Sequence, residues 1–154
     1  MTSPIEQKLL DLGVVLPEPN APRGTYVPNV RTGNLVFISG QVSYDAEGKP
    51  IVGKLGDGMS VEAGQAAAQR CAIGILAQVK AAVGDLEKVV RVVKLTGFVN
   101  CTADFTDQPK VVNGCSDFLV AVLGDKGRHA RSAVGVAGLP SGAAVEVEAI
   151  VEVA

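Results

Sequence analysis

The chain has no tryptophan, a single histidine and only three cysteines in 154 residues. Cys71, Cys101 and Cys115 are odd in number, widely spaced and form no C-x-x-C, which argues against a disulfide framework or a zinc site and fits a reducing, cytoplasmic setting. One histidine leaves no pair for acid–base work on RNA. Charged residues make up only 19%, the net charge is −2 and the 14 basic residues are scattered, so the footprint expected of a nucleic-acid partner is missing. No run approaches the roughly 18 consecutive apolar residues of a membrane span. The opening MTSPIEQKLLDLG has an early glutamate and lacks the pattern of a secretory signal. P-loop, G-x-S-x-G, H-E-x-x-H and dinucleotide fingerprints are all absent.

What is present suits one compact domain. Apolar residues reach 47%, and so low a charged fraction suggests that other copies of the chain cover part of the surface. SPIEQKLLDLG carries a full set of helix signals: Ser3 to cap, Pro4 in the first turn, Glu6 to close a capping box and Gly13 to stop. Prolines 17, 19 and 22 then make a stiff, extended connection. Residues 1–22 thus read as a helical extension and linker, and residues 23–154 as the domain proper.

Within the domain, residues 25–42 read as a β-hairpin turning at Gly33-Asn34, and PIVGKL as a possible third strand. A long helix follows from Ser60 to Gly84, with apolar residues at helical spacing. KVVRVVKLTGFVN reads as a strand, DQPKVVNGCSDFLVAVLG as a second long helix, and ARSAVGVA and AAVEVEAIVEV as the last strands. The order implies an α+β or mixed α/β layer with both long helices packed on one sheet.

Arg131 is the residue out of place, an arginine inside a strand of alanine, valine and glycine. Alternation puts it on a face with Ala133, Gly135 and Ala137, and assigns Ser132, Val134 and Val136 to the core. Space beside its guanidinium is either filled by a neighbouring element or left as a pocket. The final strand sets Glu146, Glu148 and Glu152 on one face, which is either solvated or offers Arg131 a partner. Arginine also binds a planar carboxylate through two parallel hydrogen bonds, so a structural ion pair and a ligand site both fit. Weaker candidates are His129, as a surface or capping residue or a base, and Lys94, whose tip can reach an edge. Asn113 reads as a local cap, and Ser39-Gly40-Gln41 as a loop able to offer N–H groups to an anion.

ARSAVGVAGLPSGAAVEVEAIVEV resembles the C-terminal signature of the reactive intermediate deaminase family, also called RidA or YjgF and long labelled endoribonuclease L-PSP. NLVFISGQV, VVKLTGFVN, RGTY and the Asn113 region match in order, from about residue 22 to the end. The resemblance implies a chorismate-mutase-like, YjgF-like fold assembled as a homotrimer with ligand clefts between subunits. It implies hydrolysis of an enamine or imine of the 2-aminoacrylate type to a 2-oxo acid and ammonia, without a metal or cofactor. By position, Arg131 would hold the substrate carboxylate and Glu146 would handle water. Tyr26, Ser39, Gly40 and Asn113 match pocket positions, joined by the backbone at Ala130 and by Ala133. The chain departs from the usual pattern at His129, where proline is usual, at Ala133, where many members have cysteine, and at Gly135, where many have glutamate. A trimer of the same fold that binds small carboxylates without turnover is the main alternative, and ribonuclease activity the weaker one.

Overall fold

The computed structural model describes residues 2–154. Ser3 caps helix α1 (Pro4–Asp11), its Oγ accepting from the Glu6 N–H at 3.2 Å. The expected capping box forms only by half, because the Glu6 carboxylate turns away to pair with Lys80. α1 is no loose appendage: Ile5 and Leu9 are buried in the main core, and the Ile5 N–H donates to Glu87 Oε1 at 2.9 Å. Leu9→Ala should therefore cost about 2–5 kcal/mol, the usual range for a buried leucine, read as a lower urea midpoint at fixed protein concentration.

Strands β1 (Asn29–Thr32) and β2 (Leu35–Val42) form the hairpin, shorter than the sequence suggested because residues 25–28 are loop. Gly33 makes the turn at φ +57°, where a side chain would be strained. PIVGKL does not join the main sheet. Only β3 (Lys54–Leu55) forms there, paired in parallel with β4 (Gly58–Met59) in a separate two-stranded ribbon. Helix α2 (Val61–Val83) begins at the Ser60 cap and ends where Gly84 turns left-handed. Strand β5 (Val89–Asn100), helix α3 (Gln108–Leu123), strand β6 (Ala130–Val136) and strand β7 (Val145–Val153) complete the chain.

The main sheet runs β1-β2-β7-β5-β6, antiparallel except for the parallel β5–β6 pair at one edge. α2 lies over β2 and β7, and α3 over β5 and β6, so one face of the sheet is covered by both long helices. The core fills that layer, with Val36, Leu95, Val147 and Val151 from the sheet meeting Cys71, Ile75, Val112 and Leu119 from the helices. Among the described residues no helix or strand covers the opposite face, which carries Phe37, Phe98, Val134 and Ile150 among its charged residues.

The two faces of β6 are the reverse of what its composition suggests. Arg131 is paired with buried Leu95 and faces α3, whereas Val134 pairs with Phe98 on the uncovered face and is 44% exposed. Ser132 is exposed as well. The small residues serve close approach rather than an open space. A Cβ on Gly97 would lie 2.7 Å from Val112 Cγ2, and one on Gly135 2.6 Å from Cys101 Sγ. Ala133, on the same side, packs against the core.

Candidate functional site

The guanidinium of Arg131 lies against the first turns of α3. Its Nη1 donates to Asn113 Oδ1 at 2.8 Å and Ser116 Oγ at 3.1 Å, and its Nη2 to the Pro109 carbonyl at 3.2 Å. All three acceptors are neutral. Among the described residues no carboxylate comes within 4.0 Å, so the structural ion pair open at the sequence level is not made. A partly buried cation is thus oriented by three fixed dipoles and left without a counter-ion.

His129 extends this network. Its Nδ1 is 2.6 Å from the Gly127 carbonyl and its Nε2 is 2.9 Å from Ser116 Oγ. A carbonyl only accepts, so Nδ1 carries the hydrogen; Nε2 of the neutral ring then accepts a hydrogen bond from the Ser116 hydroxyl. Burial, helped by the nearby Arg131 charge, lowers the His129 pKa against the opposing pull of the Gly127 carbonyl, and the net lowering leaves the ring neutral near pH 7. The hydroxyl of Ser116 is thereby oriented so that its oxygen lone pairs face Arg131. Burial also pushes the thiol of neighbouring Cys115 up to about 12, so it is no nucleophile despite its place beside the arginine.

A second group gathers around Glu146 on the uncovered face. β2 bulges between Ile38 and Gln41, and the bulge brings Gly40 under the Glu146 carboxyl. A Cβ on Gly40 would overlap Glu146 Oε2, so only glycine leaves room for that carboxyl. Glu146 is half-buried. Burial raises its pKa, and the adjacent Glu148 adds to the rise. The carboxyl opens on a cleft of about 620 Å³ that Tyr26, Ser39, Gly40 and Glu148 also line.

Ser39 mainly fastens the loop over this cleft. Its hydroxyl donates to the Val27 carbonyl at 2.8 Å, and its N–H to the Pro28 carbonyl at 3.0 Å. The N–H is therefore not available to an anion, contrary to one reading of Ser39-Gly40-Gln41. Lys94 is exposed on the uncovered face, between Ala130 and Ile150.

The candidate residues thus fall into two groups on one chain. Arg131 meets Asn113 of α3 on the helix-covered face; Tyr26, Ser39, Gly40 and Glu146 stand on the other face. Glu146 lies level with Phe98 and Val134, two strands over and three residues along from Arg131. Strand spacing puts the two backbones about 10 Å apart in each direction, with the side chains on opposite sides of the sheet. Ala130 is exposed on the β6 edge, and Ala133 lines neither group's cleft.

The family model described as "YjgF/chorismate mutase-like, putative endoribonuclease" matches residues 6–152. The chain belongs to the YjgF/RidA family. Protein TCP17 of Trypanosoma cruzi is 48% identical over 149 residues, covering 96% of this chain and 93% of that protein. The crystal structure of an Agrobacterium tumefaciens protein of unknown function is 46% identical, covers 97% of this chain and 94% of that one, and superposes with a TM-score of 0.90. RidA from an Antarctic Psychrobacter is 32% identical, covers 88% and 94% of the two chains, and gives a TM-score of 0.62. The α+β architecture is accordingly the chorismate-mutase-like fold of the YjgF/RidA family.

Sequence reading missed several residues that build this YjgF/RidA site. Ser116 is one helical turn from Asn113, a spacing that could have revealed it. Pro109 contributes only a backbone carbonyl, which no residue identity betrays. Gln78, buried in the last third of α2, reaches the Asn20 carbonyl at 3.5 Å and ties the linker to the cleft. Residues 20–23 then form one wall of the Glu146 cleft.

Proposed function

We propose that the protein is an enamine/imine deaminase acting as a homotrimer, with its site between copies. The observation that carries this reading is the split itself. A cation with neutral partners stands on one face of the sheet, and a carboxyl with a raised pKa stands on the other, each incomplete. The uncovered sheet face, with Phe37 40% and Val134 44% exposed, supplies apolar surface for copies to bury. In such an assembly Arg131 of one copy faces Glu146 of the next.

Arg131 binds the α-carboxylate through the edge of its guanidinium not taken by Asn113, Ser116 and Pro109. Water attacks the iminium carbon while Glu146 takes a water proton, giving a carbinolamine. The same carboxyl returns that proton to nitrogen, the C–N bond breaks with its electron pair leaving on nitrogen, and the carbinol hydroxyl becomes the carbonyl as its proton passes to the departing ammonia. The balance is iminium plus water to 2-oxo acid plus ammonium. Glu146 must begin ionised, so kcat/KM rises with pH through its raised pKa. Glu148→Gln removes the neighbouring negative charge, lowers that pKa and moves the acid limb of the kcat/KM profile to lower pH.

The direct test generates 2-aminoacrylate or 2-aminocrotonate in place with a dehydratase and follows 2-oxo acid formation. Acceleration by the wild-type chain supports the deaminase. Binding of the 2-oxo acid without any acceleration would leave a carboxylate-binding trimer in its place.

A further inference from the structure

Among the described residues the Glu146 cleft has one cation in its lining, and that cation follows directly on the linker. Arg23 lines the cleft together with Tyr44, opposite in kind to the two acids, Glu146 and Glu148. Among the described residues, Arg23 makes no ion pair within 4.0 Å. Its guanidinium carbon stands 6.0 Å from the centre of the Tyr44 ring, at the outer range of a cation–π contact. A guanidinium laid against a ring keeps its N–H edge free for a planar acceptor.

The surroundings hold this arrangement in place. Gln78 fastens Asn20, Pro22 restricts the approach, and the Arg23 N–H donates to the Tyr26 hydroxyl at 3.5 Å. On the other side, the Tyr44 carbonyl accepts from Arg70 Nε at 2.8 Å. Arg23 is therefore presented by a braced wall. Without it, a cleft lined by two glutamates would reject an acidic side chain.

We propose that Arg23 reads the far end of the substrate, and that the preferred 2-imino acids carry a second carboxylate on their side chain. The inference rests on the deaminase reading: Arg131 of the neighbouring copy takes the α-carboxylate, the imine carbon sits over Glu146, and the side chain extends toward Arg23. The two guanidiniums then bracket a dicarboxylate, and Tyr44 flanks its outer end.

Imines generated by amino-acid oxidases from glutamate and from glutamine differ in side-chain charge but hardly in shape, so their comparison isolates Arg23. The wild-type chain should favour the glutamate-derived imine in kcat/KM. Arg23→Gln should lower that preference by about 10- to 100-fold, the range for a lost charged hydrogen-bonded contact, and Arg23→Lys should keep part of it. An absent wild-type preference, or an equal loss on both imines in Arg23→Gln, would overturn the proposal. Titration with 2-oxoglutarate, followed by NMR, separates it from the deaminase reading. If neither imine is turned over but 2-oxoglutarate binds and Arg23→Gln weakens that binding selectively against the neutral amide analogue, Arg23 stands and the deaminase falls. If that selectivity is missing, Arg23 falls whatever the turnover.

Discussion

Arg131→Ala lowers kcat/KM for 2-aminoacrylate hydrolysis by roughly 10²- to 10³-fold, the range for removing one partner of a desolvated charge pair. The loss should fall largely on substrate binding, because the α-carboxylate is bound in ground and transition states alike. Arg131→Lys recovers little. A single ammonium cannot span Asn113, Ser116 and the Pro109 carbonyl while leaving a planar edge for the ligand. Folding should survive in both variants, since the three acceptors are partly exposed and water can replace the guanidinium. A steady-state comparison with thermal melts on the same samples checks this. Equal turnover by wild type and Arg131→Ala would remove the arginine from the mechanism.

Glu146→Gln should lower kcat by about 10²- to 10⁴-fold, the usual worth of a positioned base, while KM moves less. The sharper result comes from combining the two variants. Refolded together from denaturant, Arg131→Ala and Glu146→Gln chains should regain about a quarter of wild-type sites, because random assembly joins two intact halves at one interface in four. Each preparation refolded alone stays inactive. A mixture as inactive as its parts would mean that both residues serve the same chain's site, which the opposed faces of β6 and β7 do not allow as the chain is folded.

The fold was legible wherever local chemistry decides an element. Ser3 and Ser60 cap their helices, and Gly33 and Gly84 take the positive φ values that end or turn their segments. PIVGKL failed because a short apolar run does not say whether an edge is free to receive it. The β6 error has a different cause. Alternation tells that a strand has two faces, not which one a helix will cover, and valines on one side invited the wrong answer. In truth α3 sits over alanine and glycine, since close packing needs small residues as much as burial needs large ones.

The site divides in the same way. Arg131 stood out because a charge in an apolar strand is locally anomalous, and the C-terminal signature pointed to Glu146 as its functional counterpart. Their separation on one chain is a property of sheet order, which no window of sequence contains. Asn113 reads as a local cap from its neighbours alone, but in the fold its amide oxygen holds Arg131.

The braced linker has a consequence for how this protein can change. Pro17, Pro19 and Pro22 restrict the unfolded chain too, so ordering the segment between α1 and Tyr26 surrenders less entropy than a glycine-rich stretch would. The wall of the cleft is thus built outside the helices and strands that carry the core. Substitutions at Ala21 and Arg23, both exposed, can reshape what the cleft admits at little cost in stability. Substrate range and foldability can therefore drift independently, and chains sharing one framework would diverge first along this rim.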